Sequence, residues 1–261
     1  MTTPALLARR STAGPSQALA VWAAAWLGGS AGPDDVVAAL DHHAQVHAVA
    51  GAGLATWTDL LLALRRSAPS AVRLVLPAPG DAAALPAGTD LERAALMRGE
   101  AVTFDGDGAS LALVPVQESS DVLVWNAFRM TPALVDRDGA GLAEAEYTMR
   151  EAVRDATAAL TALPPTPGAP SARATVAELA GYLGSTPLPP GASARAHRVL
   201  DTVAMVEAIL LVAGERQPDT GIGLGSAQRG DAAYASLRRA VRVARTAAIN
   251  AVAQEALCAP R

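Results

Sequence analysis

Lysine is absent from this chain, and all 21 of its basic residues are arginine. The absence excludes mechanisms that need a lysine side chain, such as the Walker A phosphate loop, the pyridoxal Schiff base and the lysine of protein kinases. A lysine-free, alanine-rich composition is typical of a GC-rich genome. Runs of alanine and arginine are therefore partly a codon effect, and we interpret an arginine only from its position.

Cysteine, aromatic residues and long apolar runs are also scarce. The single cysteine, Cys258, excludes an intrachain disulfide and favours a reducing, cytoplasmic location. Aromatic residues make up only 3% of the chain, which leaves few side chains for stacking on nucleic-acid bases. No apolar run reaches the roughly 18 residues that a membrane-spanning helix requires. We therefore expect neither a membrane span nor nucleic-acid binding.

The N-terminal region imitates a secretory signal, because two arginines at residues 9–10 precede an apolar run over residues 18–27. The run ends in a glycine-rich turn rather than a cleavable site, and Leu19, Trp22 and Trp26 recur at helical spacing. We predict a helix that packs into the core, with a targeting segment as the alternative.

The chain is acidic overall, with a net charge of −4, but its charge is unevenly distributed. Residues 1–165 carry 11 arginines against 18 acidic residues, a net charge of −7, whereas residues 166–261 carry 10 against 7, a net charge of +3. This asymmetry predicts two halves that attract each other, or a basic face for an acidic partner.

Helical signals dominate the first third of the chain. We predict helices over residues 16–28, from the Gly-Pro-Asp-Asp at residues 32–35 to Ala48, and from a cap at Thr56 or Thr58 to Arg66. The pattern then changes to β-branched alternation at residues 72–76, which indicates a strand. Next comes a short helix capped by Asp90, at residues 90–98. It is followed by three strands joined by turns, at residues 101–104, 111–116 and 122–128. The rest of the chain predicts four helices, at residues 141–163, 174–183, 193–213 and 231–257.

These elements predict an α+β fold. A small four-stranded, mostly antiparallel sheet with N-terminal helices occupies residues 1–138, and a helical bundle occupies residues 139–261. The two domains either stand apart or share one core.

Three of the four histidines lie close together in the sequence, at His42, His43 and His47. On the predicted second helix His43 and His47 are four residues apart, so their rings can face one way and form half of a zinc or nickel site. No cysteine pair or His-Glu-x-x-His pattern supplies the missing ligands. A solvated histidine group is the alternative that we favour.

Two glycine motifs resemble known functional loops. Residues 28–32 match the Gly-x-Ser-x-Gly pattern around a catalytic serine, Ser30, but lack the preceding strand that this motif needs, so we favour a turn between helices. Gly221, Gly223 and Gly225 precede the last helix and are candidates for binding a phosphate or carboxylate, but a plain connection between helices explains them equally well.

Two other groups of polar residues are candidates for binding. Asp81 follows the first strand, and it either binds a ligand or, as we prefer, holds a turn; Arg129 is a second ligand candidate. Arg238, Arg242 and Arg245 share one face of the last helix. We favour their pairing with the acidic half of the chain, with a protein partner or a phosphate-bearing molecule as the alternatives.

Glu207 lies in the most apolar helix of the chain. A carboxylate in that position must be paired or protonated, and an arginine of a neighbouring helix is its natural partner. We favour a buried ion pair that fixes helix register over a catalytic acid.

One segment resembles a known group of proteins. Residues 74–81 (LVLPAPGD), continued by residues 94–102 (AALMRGEAV), resemble part of an uncharacterised family from high-GC Gram-positive bacteria. The resemblance covers about thirty residues and implies no activity, cofactor or site residue.

No complete catalytic constellation is present. The leading hypothesis is a non-enzymatic cytoplasmic protein that binds a protein partner or associates with itself. The alternatives are a protein or enzyme that binds a small anionic ligand in a pocket between sheet and bundle, and a metal protein that uses the histidine pair. The cofactor, if any, stays unknown.

Overall fold

The computed structural model describes residues 14–106, 110–130, 141–161, 172–216 and 224–259. The described residues form two compact units. The sheet unit contains the described residues between 14 and 138, residues 186–193, and the described residues from 249 onward. The helical unit contains the described residues between 139 and 185 and between 194 and 248.

The sheet unit begins with two helices, α1 (Pro15–Gly28) and α2 (Pro33–Leu40). Each has proline in its first turn, where the missing N–H group is no loss. The carboxylate of Glu100 accepts a hydrogen bond from the Ser16 backbone N–H at 2.9 Å, so a remote residue caps α1. Burial raises the pKa of Glu100, although the Ser16 hydrogen bond opposes the shift. At the other end Gly29, with φ of +92°, closes α1 in the left-handed conformation.

Helix α3 (Trp57–Ser67) begins at a reciprocal capping box. The Thr56 hydroxyl accepts a hydrogen bond from the Asp59 N–H at 3.1 Å, and the Asp59 carboxylate accepts one from the Thr56 N–H at 2.9 Å. Of the two predicted caps, Thr56 is therefore the one used.

Among the described residues, five strands form one mixed sheet. They are β1 (Val46–Ala50), β2 (Ala71–Val75), β3 (Ala101–Asp105), β4 (Ser110–Gln117) and β5 (Val122–Met130). Their order across the sheet is β1-β5-β4-β3-β2, with β1 parallel to β5 and every other neighbouring pair antiparallel. The α+β class is confirmed, and the predicted four-stranded sheet gains a parallel edge strand.

The strand β1 replaces the second half of the predicted second helix. Helix α2 ends at Leu40, and the chain then turns through Asp41. The segment from Val46 to Ala50 is stabilised by pairing with β5, whose residues follow more than seventy positions later. The prediction of a helix to Ala48 was wrong because this pairing is non-local.

Helices pack on the sheet unit's strands. Helix α4 (Asp90–Arg98), capped by Thr89 rather than by the predicted Asp90, contacts β4. Helix α1 contacts β2, β3 and β4. The α4 side has an apolar cluster of buried residues: Val75, Leu85, Leu91, Ala95, Ala101, Ala112, Val114 and Met130.

The helical unit is built from α5 (Leu142–Thr161), α6 (Ala172–Leu183), α7 (Ala194–Arg216) and the first part of α8 (Leu224–Leu257). Helix α8 starts seven residues before its predicted beginning, and its residues from Ile249 onward belong to the sheet unit. Helix α7 contributes to two apolar clusters, through Val199, Val203, Val206 and Leu210 to one and through Ala204, Ala208 and Val212 to the other. Within the described ranges no helix is long and apolar enough to cross a membrane.

Candidate functional site

The two ligand candidates Asp81 and Arg129 both support turns. The Asp81 carboxylate accepts a hydrogen bond from the Ala83 N–H at 3.1 Å, which is the turn role that we preferred. Arg129 donates to the carbonyl of Ala52 at 3.0 Å and so holds the turn after β1.

The glycine-rich motifs have different outcomes. Gly221 and Gly223 lie outside the described residues, while Gly225 lies in the first turn of α8. Ser30 lies in the turn between α1 and α2, where its hydroxyl donates to the carbonyl of Ala25 at 3.2 Å. A helix, not a strand, precedes Ser30, so the residue lacks the setting of a hydrolase nucleophile.

The predicted arginine face of α8 is only partly at the surface. Arg238 is exposed and Arg242 is half-buried, but Arg245 is 1% exposed. Of the three arginines, Arg238 and Arg242 therefore stay candidates for binding a partner.

Arg245 forms the buried ion pair that the sequence predicted for Glu207. The guanidinium Nη2 donates to the Glu207 carboxylate at 2.5 Å, within the apolar core of the helical unit. Burial lowers the pKa of Arg245, and the Glu207 charge opposes that shift. The pair joins α7 to α8, as expected for a residue that fixes register.

The predicted histidine pair on one helix does not exist. His43 follows the end of α2, and His47 lies on β1, because the helix stops at Leu40. Among the described residues no three His, Cys, Asp or Glu side chains lie close enough to hold a metal ion. Metal binding by His43 and His47 stays a prediction, without its helical geometry.

His47 instead belongs to an aromatic cluster with Trp57 and Trp125. The Trp125 indole N–H donates to His47 Nδ1 at 3.3 Å. The ring of Trp57 lies 5.7 Å from that of His47 and 6.5 Å from that of Trp125, between ring centres. Burial lowers the pKa of His47, against the opposing effects of nearby backbone carbonyls and Asp41. Since Nδ1 accepts a hydrogen bond, the neutral ring carries its proton on Nε2.

His43 provides a pH-dependent prediction. Burial, followed by the charges of His42 and His47, lowers the pKa of His43 to about 4. As the pH falls, His43 is therefore protonated near pH 6.5 in the unfolded chain but only near pH 4 in the folded protein. The free energy of unfolding should be unaffected by this group above pH 6.5 and should fall by up to about 3 kcal/mol as the pH drops through that window.

Urea unfolding between pH 4 and pH 7 measures this effect. The variant His43→Gln should flatten the pH dependence, whereas the control His42→Gln, at an exposed position, should retain most of it. Equal slopes for wild type and His43→Gln would refute the assignment.

One cavity combines apolar walls with polar groups. It has a volume of about 380 Å³ and is lined by Leu27, Arg65, Ala68, Pro69, Ser70, Leu257 and Cys258. All these residues belong to the sheet unit, and they come from the ends of α1, α3 and α8 and from the turn after α3. Its volume lies within the range of small-molecule sites.

The polar groups of this cavity differ in what they offer a ligand. Arg65 is exposed and forms no ion pair with the described residues. Ser70 donates its hydroxyl to the Asp105 carbonyl at 3.1 Å, and the Cys258 sulfur accepts a hydrogen bond from the Gln254 amide at 3.0 Å. The guanidinium is therefore the group most available to an acidic ligand.

The cavity residues were not predicted as a site. They come from three segments that are far apart in the sequence, and none of them carries a motif. The sequence features that point to this cavity are the paired arginines in the last turn of α3 and the single cysteine just after α8.

Comparison with known proteins gives matches along most of the chain. The model for the N-terminal domain of Rv1486c-like proteins matches residues 16–138, and the model for the C-terminal domain matches residues 143–246. The uncharacterized protein Rv1486c of Mycobacterium tuberculosis is 34% identical, over 93% of this chain and 98% of its own length. The uncharacterized protein ML1804 of Mycobacterium leprae is 31% identical and the uncharacterized protein MAV321 of Mycobacterium avium is 30% identical. Each match again covers 93% of this chain and 98% of the relative. No solved structure matches. The predicted resemblance to uncharacterised actinobacterial proteins is confirmed.

Proposed function

Because the chain belongs to the Rv1486c-like protein family, whose mycobacterial relatives carry no assigned activity, we propose a function from the geometry of the cavity. The protein is a non-enzymatic binding protein, and its ligand is a small organic acid held beside Arg65. The supporting observation is a guanidinium without an ionic partner among the described residues, at the wall of a cavity of about 380 Å³.

The surroundings of Arg65 narrow the chemistry of the ligand. A carboxylate matches the guanidinium, and Leu27, Pro69 and Leu257 offer apolar contact to a short carbon chain. Leu27 and Leu257 also lie in the last turns of their helices, whose carboxyl ends are electronegative. A hydroxy acid or an amino acid therefore fits better than a plain carboxylate, since it adds a hydrogen-bond donor.

Cys258 makes the proposal testable, because it is the only cysteine and lines the cavity. We expect Arg65 to attract the anionic reagent iodoacetate relative to neutral iodoacetamide. In Arg65→Ala the ratio of the two alkylation rates should fall by roughly two- to fivefold, because the local positive potential is lost. The control Arg66→Ala removes the neighbouring arginine, which does not line the cavity, and should leave the ratio near its wild-type value.

The same reporter identifies the class of ligand. Hydroxy acids and amino acids, each compared with its own amide, are tested for protection of Cys258 against iodoacetamide. An acid that fits should protect the wild type and Arg66→Ala but not Arg65→Ala. Protection by the amides to the same degree, or by no member of the panel, would count against an acid-binding cavity.

A second candidate function is assembly with a protein partner or with another copy of the chain. The observation that favours it is the edge strand β1, which carries a half-exposed Val46 and an exposed Ala50.

A further inference from the structure

The two edges of the sheet differ in how their backbone groups are satisfied. At the β2 edge the side-chain amide of Asn250 forms two hydrogen bonds with one residue. Its oxygen accepts from the Leu74 N–H at 2.7 Å, and its nitrogen donates to the Leu74 carbonyl at 3.3 Å. Asn250 thus satisfies the backbone groups of Leu74 as a neighbouring strand would.

At the β1 edge, no side chain among the described residues bonds the outward backbone groups in this way. Val46 donates its N–H to the Asp121 carbonyl at 2.9 Å, so Val46 directs its backbone groups towards β5. Because these groups alternate along a strand, those of Ala48 also face β5, and those of His47 and Val49 face away from it. Within the described part of the chain, no hydrogen bond reaches the outward N–H and C=O groups of His47 and Val49.

The sequence of β1 also lacks the usual protection of an edge strand. Proteins discourage pairing at an edge with charged side chains, proline or a bulge. The strand Val-His-Ala-Val-Ala contains no proline and no lysine, arginine or acidic residue, and it pairs with β5 without a bulge. Val46, with 52% of its surface exposed, is an apolar side chain at this edge.

We propose that β1 pairs in the antiparallel direction with β1 of a second copy of this chain, around a twofold axis at Ala48. In this register His47 of each copy lies opposite Val49 of the other, so four hydrogen bonds satisfy the outward groups of both strands. Ala48 lies opposite itself, where cross-strand side chains come closest and a small residue fits. Val46 lies opposite Ala50 of the second copy, which covers its apolar side chain.

The register favours a second copy over an unrelated strand because it is self-complementary. A twofold contact uses the same surface twice and closes on itself. With β1 paired, the edges of the combined sheet are the two β2 strands, where Asn250 occupies the outward backbone groups of Leu74. The expected assembly is therefore a dimer and not a fibre.

Charge substitutions at the two ends of β1 test the pairing and its register. In Val46→Lys/Ala50→Lys, lysine faces lysine at both ends of the strand pair, and the dimer dissociation constant should rise by roughly tenfold or more. In Val46→Lys/Ala50→Glu, lysine faces glutamate at both ends, so dimerisation should return towards the wild-type level. Light scattering across a concentration series measures the mass of each variant.

A mixture provides the control for folding. Val46→Lys/Ala50→Lys and Val46→Glu/Ala50→Glu should each be weakly associated alone and should form a one-to-one dimer when mixed, which requires that both are folded. A wild type that stays monomeric at every concentration would overturn the proposal. So would a Lys/Lys variant that dimerises like the wild type, and a Lys/Glu variant no better than Lys/Lys would overturn the register.

Discussion

Replacing Glu207 by leucine should lower the free energy of unfolding by about 3–5 kcal/mol, as expected when one partner of a buried ion pair is removed. Arg245 would then keep its charge in an apolar core, because an arginine does not lose its proton in a protein. Only 1% of Arg245 and 5% of Glu207 is exposed, so water cannot replace the lost carboxylate without opening the helical unit. Chemical unfolding of wild type and variant gives the difference.

Two comparisons distinguish the loss of the pair from a general effect of substitution. The double variant Glu207→Leu/Arg245→Met removes both charges and should recover most of the stability, because apolar replacements of a buried pair are often neutral or stabilising. Glu151→Leu breaks an exposed pair with Arg154 and should cost less than about 1 kcal/mol. A double variant that is less stable than Glu207→Leu would contradict this account of the pair.

Replacing Gly28 by alanine should lower the free energy of unfolding by about 3 kcal/mol, at the upper end of the cost of overpacking. A Cβ atom at Gly28 would lie 2.1 Å from the carbonyl oxygen of Ala256, which is backbone and cannot rotate away. The ends of α1 and α8 meet at this point, so the substitution forces them apart. The sign of the change in the free energy of unfolding is informative, because replacing glycine by alanine inside a helix otherwise stabilises it by about 1 kcal/mol.

Gly181 is the matched control for this substitution. It lies inside α6, and a Cβ atom there would meet nothing within 4 Å. Gly181→Ala should therefore raise the free energy of unfolding by up to about 1 kcal/mol. If both variants were stabilised, the close approach of α1 and α8 would be wrong.

Local chemistry predicted much of the helical structure and one tertiary contact. The cap at Thr56 follows from a hydroxyl three residues before an acidic side chain. The ion pair of Glu207 follows from the cost of an isolated carboxylate in an apolar helix, although the sequence did not identify Arg245 as the arginine involved. In both cases the energetic requirement is visible in the sequence itself.

The histidine geometry failed because it depended on a non-local choice of structure. Residues 46–50 have no strong local preference that excludes a helix, and their strand is set by pairing with β5. Once β1 forms, His47 lies beside Trp125, which is 78 positions away in the chain. Only the paired sheet reveals that this histidine accepts a hydrogen bond from a tryptophan.

The cavity at Arg65 was not predictable for a related reason. Its walls are the ends of three helices and one turn, and each segment has an ordinary local explanation. Arg65 itself is expected in the last turn of a helix, where a cation stabilises the carboxyl end. Its availability to a ligand appears only when Leu27, Leu257 and Cys258 are placed around it.

Native mass spectrometry of the wild type and of Arg65→Ala, each purified without exposure to added acids or chelators, tests the binding function most directly. We expect the wild type to carry an additional small mass per chain, which denaturation releases as an organic acid, and Arg65→Ala to lack it. A wild type that shows only the mass of the bare chain, and that gains none when incubated with a panel of hydroxy acids and amino acids, would contradict the proposed function.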